Sequence, residues 1–324
     1  MSDSRLDALD LRIVNALQFD PRARWEHLAP ALGASAVTLA RRWDRLHSEG
    51  LAWVTGAPTT GSHALIEIES APSESALVAE HLIRDPAVRT LERTAGDRDL
   101  VAFVSAADQA ELTRYLVAGL GAVPGVRRTR VHVLTDGLTE ATRWRLGVLT
   151  DAEIALLPAV PRPRPRAART VSPAVRAVVE QELWKDGRAP VGAIAEQAGV
   201  SAQTVTDAIA RLRDEGAIVM RTDLAAPYSR WPVHTWYFIE ADAREIDALR
   251  TGIRSVREVR FAFTSTGRTN LVLAASLRSI TDINRFESAL SAAFSRSRIA
   301  DRSLVLLPLK HTGRRLRTDG TVDR

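Results

Sequence analysis

The feature that most constrains this 324-residue chain is that it repeats itself. The stretch from Asp20 to Thr55, DPRARWEHLAPALGASAVTLARRWDRLHSEGLAWVT, returns at a constant offset of 166 residues as DGRAPVGAIAEQAGVSAQTVTDAIARLRDEGAIVMRT, Asp186 to Thr222. Asp20/Asp186, Gly33/Gly199, Ser35/Ser201, Leu46/Leu212 and Glu49-Gly50/Glu215-Gly216 stay in register. A repeated sequence implies a repeated structural unit, so what one copy folds into the other must approximate.

In the first copy Trp25, Leu28, Ala29 and Leu32 recur at helical spacing and make one apolar stripe on a short helix, which Gly33 ends. Ser35 stands where a hydroxyl caps the next helix, and Leu39, Trp43 and Leu46 continue a core-facing stripe until Gly50. Two helices joined by a tight glycine turn form a helix-turn-helix, the unit that places its second helix in the major groove of DNA. Ser35, Val37, Thr38, Arg41 and Arg45, with Arg42 at the edge, are the candidate DNA-facing residues of that helix. An arginine run on an isolated helix usually only solvates it. Here glycine turn, cap, apolar register and a following Gly-Leu-Ala-Trp-Val strand, taken as the first strand of a wing, occur together and favour DNA. In the second copy Ser201, Gln203, Thr204 and Arg211 hold the corresponding places, but Asp207 and Ala208 replace Arg41 and Arg42. A carboxylate facing phosphates repels them. The first head is therefore expected to dominate affinity, with the second weak or reading a different half-site.

Ahead of the first copy, Leu6, Leu9, Ile13 and Leu17 predict an amphipathic helix that packs on the helix-turn-helix and ends at Asp20-Pro21. After it the pattern changes to alternation: ALIEIES is strand-like, a helix is expected over 73–83, a strand over Val88 to Thr94, the turn Gly96 to Leu100, the strand LVAFV, a helix over 108–120 and a strand over Val126 to Leu134. This β-α-β-β-α-β order returns at an offset of 171, with strands over Thr235 to Glu240, Val256 to Thr264, LVLAA and Arg302 to Leu307, and helices over 243–253 and 280–294. The fold class expected is α+β: two winged helix-turn-helix domains and two ferredoxin-like domains in tandem. The boundaries read as 1–56 and 57–140 for the first pair, 141–170 for a short helix and Pro/Arg linker, 171–225 and 226–312 for the second pair, and 313–324 for a tail expected to be disordered. The apolar face of each sheet opposite its helices cannot stay wet, so the two sheets should pair with each other.

The formal charge is +5, but Arg162, Arg164, Arg166 and Arg169 put +4 into the linker and the segment from Lys310 to Arg324 adds +3, leaving about −2 on the body. Nucleic-acid affinity must therefore come from local patches and the basic linker. The repeated X-Pro of the linker predicts an extended spacer, with threading of a DNA groove as the alternative. There is no cysteine, which excludes disulfides and thiolate metal sites. The N-terminus has no apolar signal core and no run reaches membrane-span length, so a cytoplasmic protein is expected. His27, His47, His63, His81, His132, His234 and His311 show no metal-ligand spacing, and no nucleophile motif or phosphate-cradling loop is present. No cofactor and no enzymatic activity are expected.

Asp20-Pro21-Arg22-Ala23 with Asp186-Gly187-Arg188-Ala189, the S-x-x-x-L-x-R-R-x-x-R-L run of Ser35 to Leu46, Gly50-Leu51 and the turn Gly96-Asp97-Arg98-Asp99-Leu100 together resemble the Lrp/AsnC family of feast/famine regulators. The resemblance implies a transcription regulator that binds double-stranded DNA through winged helix-turn-helix heads. It also implies effector domains that pair through their sheets and hold a small molecule, often an amino acid, near the glycine-aspartate turn. Carried onto this chain, the effector candidates are Gly96, Asp97, Arg98 and Asp99 in the first copy and Gly267, Thr269 and Asn270 in the second. Family members carry one such unit per chain and dimerise, so two units predict an intramolecular pseudo-dimer, with homo-oligomers possible by further pairing. Arg98 stands where the family usually has an aromatic residue, and is either a contact for an acidic ligand or a solvated turn residue. Two alternatives stay open: a sensor with inactive heads, and an enzyme resembling the sirohaem decarboxylases, which would recruit His63, His132 and Arg98 to hold propionates.

Overall fold

The structure, a computed structural model, describes residues 6–139, 143–164, 170–253 and 256–323; Arg166 and Arg169 of the linker lie outside them. The first half runs α1 (Ala8–Phe19), α2 (Trp25–Leu32), α3 (Ala36–Ser48), β1 (Ala52–Pro58), β2 (Ser62–Ser70), α4 (Ser75–Arg84), β3 (Val88–Thr94), β4 (Leu100–Ala106), α5 (Gln109–Arg114) and β5 (Val126–Thr139). After α6 (Asp151–Ala155) the order returns as α7 (Pro173–Lys185), α8 (Val191–Ala198), α9 (Ala202–Asp214), β6 (Ile218–Leu224), β7 (Val233–Glu240), α10 (Ile246–Gly252), β8 (Val259–Ser265), β9 (Leu271–Leu277), α11 (Asp282–Ala293), β10 (Arg298–His311) and the short β11 (Arg314–Arg315). Asp7 and Asp10 cap α1 reciprocally, each carboxylate accepting from the other's backbone N–H. The helix expected over 108–120 keeps α-geometry only to Arg114; a π turn over Tyr115–Gly119 and a 3-10 turn over Leu120–Ala122 follow. Gly119 and Gly121 are poor helix formers there.

The chain divides into two compact units that cut across the repeat: Met1–Thr60 with Arg145–Tyr228, and Gly61–Trp144 with Ser229–Arg324. In the first unit both heads come together. The β1 strand does not open a wing hairpin as expected; it pairs antiparallel with β6, its own repeat, from Ala52↔Leu224 to Pro58↔Ile218. Thr55 faces Arg221, its equivalent at the repeat offset, so a pseudo-twofold axis passes through that pair. Around it the contacts are isologous. Arg22 donates to the carbonyls of Gly187 (2.6 Å) and Ala189 (2.9 Å), and Arg188 donates to those of Pro21 (2.7 Å) and Ala23 (3.2 Å). Burial pulls both guanidiniums down, Arg188 to about 10. A rigid five-donor fork suits this task, bridging two carbonyls of a neighbouring turn at once.

In the second unit the strands run β10-β3-β4-β2-β5-β8-β9-β7, and β7 pairs again with β10, so the sheet closes on itself; β11 adds only to β10. Two long strands make the closure. The first part of β5 pairs with β2 of its own copy and its last residues, from Leu134, with β8 of the other. Likewise β10 pairs with β7 up to Leu304 and then with β3 of the first copy from Val305. The expected pairing of sheets is thus present within one chain. Outside, each copy packs its own helices: Ile66, Ile68, Val78 and Leu82 belong to one core, and Tyr237, Leu249, Leu273 and Phe286 to another. Between the two sheets Leu65, Val101, Trp236, Phe238 and Val272 form a separate cluster.

Over its described residues, 313–323, the tail is not disordered, as its lack of an apolar stripe suggested. Gly313, in the left-handed region at φ 80°, turns the chain into a hairpin of β10 with β11. Arg315 pairs with Glu80 on α4 at 2.6 and 2.9 Å, and Thr321 and Val322 are buried. Its basic charge finds acidic partners that a linear count cannot show.

The head-to-head clasp carries a measurable share of stability. Arg22→Ala removes two charge-assisted hydrogen bonds and strands two carbonyls, and is expected to cost about 3 kcal/mol, read as an earlier urea transition of the full chain. A change below about 0.5 kcal/mol would show the clasp to be incidental.

Candidate DNA-binding helices and effector domains

The second helix of each helix-turn-helix, α3 and α9, is set by the same local devices. Gly33 and Gly199 end the preceding helices in the left-handed region, at φ 66° and 64°. Ser35 and Ser201 then accept from the N–H of Thr38 (3.2 Å) and Thr204 (3.1 Å), and their hydroxyls bond those threonines' hydroxyls at 2.9 Å. Leu39, Trp43 and Leu46 face the core on α3; Val205, Ala208, Ile209 and Leu212 do so on α9. The sequence-predicted faces are therefore outward: Val37 is 79% exposed and Arg41 is exposed beside half-buried Thr38.

The other basic groups are held. Arg42 donates to Asp7 (2.6 Å) and Asp10 (3.0 Å), and Arg45 to Asp10 (2.6 Å) and Glu49 (3.4 Å). Asp10 is buried, so the carboxylates that cap α1 also fix the arginines of α3. On α9, Asp207 is bridged by Arg164 of the linker through two hydrogen bonds of 2.6 and 2.9 Å, which hold its carboxyl below the usual range. Gln203 donates to the same carboxylate at 3.2 Å, and Arg211 lies 3.8 Å from Glu215. The linker's contact with the second reading helix had no signal in the sequence, because it depends on where residue 164 comes to lie.

The two glycine turns are alike in backbone and unlike in content. Gly96 and Gly267 take φ 110° and 103°. Asp99 accepts from the N–H and hydroxyl of Ser70 (2.7 and 3.0 Å), while Asn270 bonds the backbone N–H and carbonyl of Ala241 (2.7 and 3.1 Å). Both side chains thus tie the turn to the end of the first strand of their own copy. Asp97 and Gly267 are exposed at the tips, and the Thr269 carbonyl accepts from Ser265 at 2.9 Å.

Arg98 is neither a solvated turn residue nor an open ligand contact. It is 3% exposed and points between the sheets, forming ion pairs with Glu67 (2.6 Å) and with Asp301, donating to Ser303 (2.7 Å) and lying 4.7 Å over the ring of Phe238. Glu67 also bonds His132 (2.6 Å) and Arg130 (3.0 Å). Burial opposes the charge on Glu67, but His132, Arg98 and Arg130 together outweigh it and hold the carboxyl below its ordinary range. Sequence reasoning missed Glu67, whose place in the alternating ALIEIES strand reads as solvent-facing, and Glu92, buried and bonded by the Trp236 indole at 2.6 Å. His63 and His234, which stand at the same place in the two copies at the offset of 171, differ in surroundings: His63 stacks on Phe103 (ring centres 5.5 Å apart) and His234 lies 3.4 Å from Arg260.

A group held below its ordinary value stabilises the fold above that value and ceases to do so as acid protonates it. Glu67→Gln is expected to lower the melting temperature at neutral pH, and the gap from the parent to close below pH 4.5, the ordinary value of a glutamate. A gap that persists unchanged in acid would assign the loss to packing.

Family models match along the chain in the order of these elements: an AsnC-type helix-turn-helix domain over residues 6–47, an Lrp/AsnC ligand binding domain over 63–144 and a winged helix-turn-helix DNA-binding domain over 181–219. An HTH-type transcriptional regulator of Pyrococcus abyssi is 28% identical over 138 residues, which cover 41% of this chain and 87% of that protein. The HTH-type transcriptional regulator FL11 of the same organism is 26% identical over 143 residues, 42% of this chain and 94% of that one. Both therefore correspond to one of the two repeats in length. The siroheme decarboxylase NirDL has a similar fold over 94% of this chain and 93% of its own, with a TM-score of 0.57 and 13% identity. No helix among the described residues is long and apolar enough to cross a membrane. From its domains and their order, the chain belongs to the Lrp/AsnC family of helix-turn-helix transcriptional regulators.

Proposed function

We propose that the protein regulates transcription by binding double-stranded DNA mainly through α3, under the control of a small molecule taken up by its effector domains. The observation that carries this reading is the outward face of α3. Arg41 stands exposed beside Val37, Thr38 and the Ser35 cap, on a helix fixed from behind by the Asp10 ion pairs of Arg42 and Arg45. Arg41 is the group for a base edge or phosphate, with Val37 and Thr38 for apolar and hydroxyl contacts; Arg42 and Arg45 hold the helix at its working angle. The second head offers Ser201, Gln203, Thr204 and Arg211, with Asp207 neutralised by Arg164, so it reads less by charge than by hydrogen bonding. Unlike heads predict an asymmetric operator.

Affinity selection of sheared genomic DNA by the purified chain, followed by titration of the enriched sequence at physiological salt, tests this. Arg41→Ala is expected to weaken binding by about 1–3 kcal/mol and to flatten the salt dependence, with Gln203→Ala relaxing sequence preference at one half-site. Unchanged affinity in Arg41→Ala, with loss in Gln203→Ala, would transfer the leading role to the second head.

The fold shared with the siroheme decarboxylase over most of the chain favours a second reading, tetrapyrrole chemistry. The groups available for propionates count against it: Arg98 and His132 are both committed to Glu67 inside the paired sheets. Absorption in the Soret region of the protein as purified, or after incubation with an iron porphyrin, separates the two.

A further inference from the structure

The second effector domain carries a basic cleft whose arginines have no counterpart in the first. It lies where β8 begins, β9 ends and α11 starts, at the far end of the sheet from the Gly267 turn, and encloses about 220 Å³, the volume of about seven waters. Arg257, Arg278 and Arg285 line it, together with Trp231, Glu258 and Asp282. The strand register β7/β9, Val233↔Leu277, matches Ser62↔Ala106 in the first copy, which puts Pro86 and Ala107 in the places of Arg257 and Arg278. The paired arginines of the cleft are therefore peculiar to one copy and not a property of the repeat.

Its construction holds guanidiniums together without neutralising them. Trp231, 4% exposed, has Arg278 at 5.1 Å and Arg257 at 6.0 Å from its ring centre. Trp144 packs edge-on against Trp231, with ring centres 6.1 Å apart, and its indole N–H bonds the Arg257 carbonyl at 3.0 Å, which fixes that backbone. A π face attracts the flat side of a guanidinium and leaves its N–H edge for another acceptor. Among the described residues neither Arg257 nor Arg278 has a carboxylate within ion-pair distance. Asp282 is committed, accepting from the Ser279 N–H (3.0 Å) and from Arg285 (3.0 Å) at the first turn of α11.

We propose that this cleft binds the phosphate group of a small phosphorylated metabolite, with Arg257 and Arg278 as the paired donors and the first turn of α11 adding to the positive field. A concave site of this size takes a phosphoryl group and a few further atoms. Glu258, which also lines the cleft, opposes the anion and selects against larger charge. The site goes beyond the DNA-reading role of α3 and does not rest on it.

The test is calorimetric titration of the full-length protein with inorganic phosphate at ionic strength held constant with chloride. Saturable binding is expected at one site per chain, with a dissociation constant of about 1 mM or tighter. The double variant Arg257→Gln with Arg278→Gln should weaken it at least about tenfold. Glu258→Gln should tighten it, an effect that misfolding cannot mimic. Absence of saturation, or equal binding by the double variant, overturns the proposal. So does a double variant that loses affinity for DNA while the parent never binds free phosphate, which would make the cleft a backbone contact. Loss of DNA binding in Arg41→Ala is read independently of all these outcomes.

Discussion

A ferredoxin-like sheet that carries its helices on one side leaves an apolar face on the other, and in this chain the cover for each such face is the other copy. Leu65 and Val101 from the first copy meet Trp236, Phe238 and Val272 from the second, all but dry. Each such side chain, once buried, is worth about 1.5–3 kcal/mol. The same closure removes exposed sheet edges, because β5 and β10 each run on from their own sheet into the other. The length of these two strands follows from that double duty.

Joining the two copies in one chain frees them to differ where a symmetric dimer could not. Arg98 between the sheets would, in a true dimer, face its own image. Here its repeat equivalent is Thr269, and the position equivalent to Glu67 is Phe238, whose ring lies under the Arg98 guanidinium. This buried cation is thereby matched by Glu67 and Asp301 and by an aromatic face. Removing one partner of such a buried pair would leave the other charge stranded, so the set holds as a unit. A fused pair thus needs no duplicate of this polar interior site, and has none to neutralise.

The heads show the same mixture of likeness and difference. What holds them together is alike in both copies: Arg22 and Arg188 exchange equivalent hydrogen bonds, and Ser35 and Ser201 cap equivalent helices. What faces outward is not, with Arg41 on one reading helix and Asp207, bridged to Arg164, on the other. The packing is thus shared between the heads, and the exposed residues diverge.

The sequence alone determined the repeat, the element types and their order, the helix-turn-helix caps and the α+β class, because glycine turns, serine caps and apolar periodicity are local signals read within a few residues. The inward or outward direction of α3 was legible for the same reason. Tertiary structure decided what depends on residues far apart in the chain. It paired β1 with β6 instead of a wing partner, drew Arg98 and Glu67 between the sheets, tied Arg42 and Arg45 to Asp10, and folded the tail onto Glu80. A charged residue in an alternating strand or a basic tail reads as solvated until its partner is known. The identity of that partner is a property of the closed fold and not of the neighbouring sequence.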